Sequence, residues 1–254
     1  MRTIGREVVE AGLLAARLEA YEPGEYVGQE SFMRATEIRD LATRAAIGAG
    51  TSVLDLCCGV AGPGRLIAEA LGCTYLGVDR SPDAIAVARR RAGPRCRFTI
   101  ADVPPVPEGG FDVVLLLETM LAFADKAPLL GAVAGALVPG GRFACTVETG
   151  APLTAAERSL MPASDTVWPV PDAELRSSLE DAGLRVTWET DSTRAHHTAA
   201  RALTRAFSEH AGDIRAHLGD AFLDDLLTAH RLWTHWLEQG RIRKLTLVAT
   251  RGGG

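Results

Sequence analysis

The chain has 254 residues, 47% hydrophobic and 23% charged, an ordinary globular composition that argues against a disordered protein. Its net charge is −5 and its basic side chains are nearly all Arg (Lys occurs only at 126 and 244), so no face reads as a dense basic patch and nucleic acid is not an expected partner. No run of about 20 apolar residues suggests a membrane span.

Arg6, Glu7 and Glu10 interrupt the N-terminal apolar stretch, so it does not read as a signal peptide. Five cysteines, an odd number with no C-x-x-C pair, point to reduced thiols in a cytosol.

Two amphipathic helices are expected first, over Glu7–Ala20 and Phe32–Ile47, with Ser31 as the cap of the second. The Pro/Gly-rich stretch Tyr21–Glu30 joins them. From Thr51 strands and helices alternate. Strands are expected at Ser52–Leu56, Thr74–Asp79, Cys96–Ile100, Phe111–Leu117 and Arg142–Val147, the last after a Pro139-Gly140-Gly141 turn. The helices between them cover Arg65–Leu71, Pro82–Arg91 and Ala127–Leu137. Arg89, Arg90 and Arg91 close one of these helices, where cations suit the dipole. A loop at Gly150–Pro171 precedes a helix at Ala173–Ala182 and a strand at Arg185–Glu189. A long helical segment from Thr198 to Glu238 leads to a final strand, Lys244–Ala249. Strands spaced by helices of this length imply an α/β fold, a Rossmann-like doubly wound sheet that is mostly parallel.

The strongest motif is Val53-Leu-Asp-Leu-Cys-Cys-Gly-Val-Ala-Gly-Pro-Gly64. Glycines 59, 62 and 64 leave a strand and open a helix, as a backbone does when it must approach a ligand closely. Alone this is a weak signal shared with dinucleotide sites. Asp55, inside the preceding strand, suits a cofactor bearing a cationic amino group. Asp79 ends the next strand, where a carboxylate accepts hydrogen bonds from ribose hydroxyls; the competing reading is a helix cap, which Ser81 also fits. Asp102 follows the third strand, placed to meet an adenine amino group.

These elements, with Phe111–Glu118 and Leu137–Arg142, resemble class I S-adenosylmethionine-dependent methyltransferases over roughly residues 50–150, and most of all the small-metabolite and natural-product members. The resemblance implies S-adenosyl-L-methionine as cofactor and a seven-stranded sheet whose last strand is antiparallel. It implies that Asp55, Cys57, Gly59 and Gly62 line the methionine end, that Asp79 holds the ribose and Arg80 flanks the adenine. Asp102 and Val103 would read the adenine edge and Leu117 would offer its carbonyl. Tyr26 and Gln29, in the connector, would close over the cofactor. The sequence departs from the pattern after the fourth strand, where many relatives carry His and this chain has Ala122. It also lacks the Asn-Pro-Pro-Tyr motif of relatives that methylate DNA or protein amides.

One methyltransferase domain is thus expected, with residues 1–50 as a helical cover, 51–193 and 243–251 as the core, and 194–240 as a helical cap insertion. The expected reaction is methyl transfer to an O, N or C atom of a small molecule; the alternative is a cyclisation or rearrangement on the same fold. Glu118 and Glu148, at strand ends facing the cap, are candidates to hold a cationic amine or to accept a proton, and His196 and His197 follow the sixth strand closely enough for one of them to reach the site, with His197 taken as the candidate. Trp168, Trp233 and Trp236 could wall a pocket or pack within the cap. No His/Cys/carboxylate set has metal-ligand spacing, so no metal is expected. Self-association is compatible with the sequence but not required by it.

Overall fold

A computed structural model describes residues 6–163 and 165–253. Seven strands form one sheet: β1 Ser52–Leu56, β2 Thr74–Asp79, β3 Cys96–Ile100, β4 Phe111–Leu116, β5 Leu137–Thr149, β6 Leu184–Asp191 and β7 Arg243–Arg251. Their spatial order is β3-β2-β1-β4-β5-β7-β6. The pairs among β1 to β5 are parallel, and β7 runs antiparallel to both β5 and β6. The chain order reverses between β1 and β4, so a crevice opens beyond the carboxyl ends of these strands.

The central strands are continuously apolar because both faces are covered. On β4, Val114 and Leu116 pack against Leu129, Leu130 and Val133 of α5 (Ala127–Ala136) and Leu175 and Leu179 of α7 (Asp172–Asp181). Val113 and Leu115, one residue out of phase, pack on the other side. There they join Ile38 and Leu41 of α2 (Ala35–Arg44), Ile67 of α3 (Gly62–Leu71) and Ile85 of α4 (Pro82–Arg91). A separate core joins α1 (Arg6–Ala20) to α8 (Thr193–Glu209), α9 (Ala211–Leu218) and α10 (Asp220–Glu238) through Leu13, Phe207, Ile214, Leu218 and Leu237.

Several boundaries differ from expectation. Helix α2 starts at Ala35, not Phe32, because the Arg34 N–H donates to Glu37 Oε2 (2.9 Å) and ends the run there. Ser31 is therefore not its cap; its hydroxyl accepts the Met33 N–H at 3.3 Å. The long helical segment starts earlier, at Thr193, and breaks into three helices at His210 and at Gly219, whose φ is 87°. The loop after β5 contains a short helix, α6 (Ala155–Ser159), opened by reciprocal Thr154–Glu157 hydrogen bonds. Strand β5 begins before the Pro-Gly-Gly turn and runs through it. Among the described residues, no helix is long and apolar enough to cross a membrane.

Candidate active site

The chain leaves β1 through a loop in which Cys57, Gly59 and Ala61 have φ of 57°, 55° and 58°. Two of the three are not glycine, and residues in this sparsely populated region cluster at ligand sites. The neighbouring glycines serve close packing. A Cβ on Gly62 would lie 2.6 Å from the Gly28 carbonyl carbon and the Val27 oxygen, so the connector rests directly on the start of α3. A Cβ on Gly64 would lie 2.1 Å from the Tyr75 hydroxyl. That hydroxyl donates to Asp55 Oδ2 at 2.5 Å. Asp55 is buried, and burial raises its pKa to about 7. Burial likewise pushes the Cys57 thiol up to about 12, leaving it uncharged.

At the end of β2, Asp79 accepts the N–H of Gly59 on one oxygen and that of Ser81 on the other, both at 2.8 Å. Ser81, not Asp79, caps α4: its hydroxyl accepts the Ala84 N–H at 3.2 Å. Asp79 thus ties the glycine loop to the strand end and keeps lone pairs for a ligand.

A cavity of about 670 Å³ lies here, lined by Asp55, Cys57, Gly59, Asp79, Arg80, Asp102, Val103 and Leu117, with Gln29 above. Tyr26 and Gly62 do not line it. Tyr26 stacks on Tyr21 at 5.8 Å between ring centroids, and Gly62 lies beneath the connector. Gln29 spends its amide on the connector itself. Its Oε1 accepts the Val27 N–H at 2.7 Å, and its Nε2 donates to the carbonyls of Glu25 (2.9 Å) and Met33 (2.8 Å).

A second cavity, of about 520 Å³, adjoins the first; Gln29, Ser31, Glu118, Thr119 and Ala122 belong to both linings. Its floor is a buried charge cluster. Lys244, fully enclosed on β7, places Nζ 2.9 Å from Glu118 Oε1 and donates to Glu148 Oε1. Burial, the largest single influence, would raise the Glu118 pKa, but the Lys244 charge, the neighbouring His196 and the Lys244 and Thr146 contacts together outweigh it and hold the carboxyl down at about 2. For Glu148 burial wins, and its pKa is raised. Lys244 is also raised, because the two carboxylates outweigh its burial. Glu118 has φ 57°, and its N–H donates to Thr146 Oγ1 at 2.6 Å. Glu148 Oε2 has no hydrogen-bond partner among the described residues although Glu148 is wholly buried. The other walls are aromatic: Phe32 meets Trp233 edge-on at 6.1 Å.

Of the expected bases, the fold brings Glu118 and Glu148 together across Lys244. His197 lines neither cavity. Its neighbour His196 is the one against the cluster, its Nδ1 3.7 Å from Glu118 Oε1 and its Nε2 3.6 Å from Glu37 Oε1. Burial lowers the His196 pKa, so it is neutral near pH 7. On α8 successive residues point about 100° apart, which turns His197 away. Trp236 is buried and outside the cavity linings, whereas Trp233 lines the second cavity. Trp168 lines neither; the Arg158 guanidinium lies over its ring, 3.8 Å from the centroid. Sequence reasoning misses Lys244, and of the adjacent His196 and His197 it favours His197 where the fold presents His196. The available signal for Lys244 was that it is one of two lysines in an Arg-rich chain, set beside an apolar strand.

The chain is similar to known proteins. A family model described as a methyltransferase domain matches residues 53–141. An uncharacterized methyltransferase of Synechocystis, sll0829, is 32% identical over 155 residues, which cover 56% of this chain and 70% of that protein. Methyltransferase GfsG of Streptomyces halstedii is 34% identical over 122 residues, covering 45% of this chain and 43% of that one. The chain also spans less than half the length of other curated relatives it matches. A Haemonchus contortus phosphoethanolamine N-methyltransferase 2, solved with phosphomonomethylethanolamine and S-adenosylhomocysteine, superposes with a TM-score of 0.79 at 16% identity, over 98% of this chain and 60% of that chain.

Proposed function

This chain belongs to the class I S-adenosylmethionine-dependent methyltransferases, and on that premise we propose that it transfers a methyl group from S-adenosylmethionine to an O, N or C atom of a small molecule. The observation that carries the reading is the meeting of two cavities at Glu118. One lies at the carboxyl ends of the parallel strands with Asp55 and Asp79 on its wall; the other is closed by α1, α8 and α10.

The first cavity suits the cofactor because its buried carboxylate, Asp55, has no cationic partner among the described residues, and a methionine ammonium would supply one. Asp79 would hold the ribose, Asp102 and Val103 the adenine edge, and the Leu117 carbonyl would face the cofactor. The cofactor supplies an electrophilic methyl group on sulfur. This chain's residues then chiefly align the acceptor and exclude water. Glu118, held ionised by Lys244, can orient a donor group of the acceptor, and the higher-pKa Glu148 can take a proton.

We further read the chain as one methyltransferase domain, with 1–50 and 194–240 as cover and cap, working in the cytoplasm in natural-product metabolism. Five free thiols and a net charge of −5 support a reducing compartment and argue against a nucleic-acid partner. The test is mass spectrometry of the purified protein with S-adenosylmethionine and candidate metabolites. Methyl transfer yields S-adenosylhomocysteine and a product heavier by one methylene. An isomerised product with the cofactor intact would show a cyclisation or rearrangement instead.

A further inference from the structure

We propose, resting on the reading that the second cavity receives the methyl acceptor, that this cavity selects an amine-bearing molecule: a protonated amino group on a largely apolar body. Among the described residues, five carboxylates line the cavity, Glu30, Glu118, Glu148, Asp165 and Asp225, against two cations, Arg17 and Lys244. The cations are already engaged. Arg17 lies 3.6 Å from Glu30, and Lys244 serves both Glu118 and Glu148. Negative charge is left over in two places. At the floor, one Lys244 answers two carboxylates, and the wholly buried Glu148 keeps an oxygen without a hydrogen-bond partner among the described residues. At the rim, among the described residues, neither Asp165 nor Asp225 is paired with a cation. Loss of hydration at Asp165, with the Asp225 charge adding to it, raises the Asp165 pKa.

Between floor and rim the walls are apolar and aromatic, with Phe207, Phe222, Leu226 and Trp233. A cleft with one sign of charge and low-dielectric walls concentrates the opposite charge, and the faces of aromatic rings add attraction for a cation. The Lys244 ammonium already sits 6.0 Å from the Trp233 ring centroid. A neutral acceptor would use only the apolar part of this lining, and an anionic one would meet excess negative charge. Arg17 is the contrary feature, since its Nη1 is buried without a hydrogen-bond partner; an anionic probe reads its influence directly.

The test is calorimetric titration of the S-adenosylhomocysteine-loaded protein with three probes of one shape: phenylbutylamine, phenylbutanol and phenylbutyrate. The amine should bind at least roughly tenfold more tightly than the alcohol at low salt, with phenylbutyrate weakest, and the preference should shrink as salt is added. The exposed charge reversal Asp165→Lys/Asp225→Lys should cut amine affinity at least about threefold while S-adenosylhomocysteine affinity holds. Alcohol or phenylbutyrate binding as tightly as the amine, no amine binding at millimolar concentration, or undiminished amine affinity in the reversal variant would each overturn the proposal. Failure of S-adenosylhomocysteine to bind the unaltered protein would instead overturn the methyltransferase reading.

Discussion

Lys244 on β7 stands directly across the antiparallel ladder from Glu148 on β5, and its Nζ also reaches Glu118 at 2.9 Å. Two strands and the turn after β4, which meet only in the folded sheet, thus build one buried cluster from three charged side chains.

Removing the central charge leaves two buried carboxylates facing each other. Lys244→Met should cost about 3–5 kcal/mol in urea unfolding, and adding Glu148→Gln should restore part of it. The lowered Glu118 pKa has its own signature. Its stabilisation is complete above the unfolded value of 4.5 and is lost as pH falls toward about 2. That acid-limb loss should flatten in Lys244→Met. A cost below about 1 kcal/mol would mean that the cluster is not held by Lys244.

Asp55 carries the opposite sign. Its folded pKa of about 7 exceeds the ordinary 3.8, so the folded chain keeps a proton that the unfolded chain gives up. The associated stability is present at low pH and is lost as pH rises toward 7, about 4 kcal/mol in all for a shift of this size. Asp55→Asn should therefore stabilise the ligand-free protein at pH 8. A bound methionine ammonium favours the ionised carboxylate, so S-adenosylhomocysteine affinity should climb with pH through 7 in the unaltered protein and stay level in Asp55→Asn. A pH-independent affinity in both would remove Asp55 from the cofactor's amino group.

For Asp79→Ala, cofactor affinity should fall roughly tenfold or more, since charge-assisted hydrogen bonds contribute about 1.5–3 kcal/mol each. The same change frees the Gly59 N–H, so the glycine loop should exchange its amide hydrogens faster. Unchanged calorimetric affinity in a folded variant would take Asp79 out of the ribose site.

The two neighbouring tryptophans should separate cleanly. Trp233→Ala, on the wall of the second cavity, should raise the substrate KM or lower kcat with little change in cofactor affinity. Trp236→Ala empties a buried site against Leu153, Val167 and Ile242 and should cost about 3–5 kcal/mol of stability. Equal effects of both on substrate kinetics at equal stability would contradict this division.

Among the described residues, no three His, Cys, Asp or Glu side chains converge as metal ligands. Activity is expected to survive EDTA; loss that only a divalent ion reverses would refute this.

Much of the cofactor half was legible in the chain because its signals are local. The apolar runs, the Gly59–Gly64 loop and the acids at 55, 79 and 102 each sit within a few residues of the turn that presents them, and a parallel strand's carboxyl end fixes where such a turn points. Even there, the stacking of Tyr26 on Tyr21 and the burial of Gly62 under Gly28 depend on how the connector packs, which its residues do not announce. The substrate half was decided by the tertiary structure. Glu118, Glu148, His196 and Lys244 lie on four separate elements, and only the sheet order, with β7 beside β5, brings them together. Whether His196 or His197 faced the cluster turned on one helical step of about 100°. That step is set by the packing of α8 against α1 and α10 around Phe207 and Leu203, contacts between segments far apart in the chain.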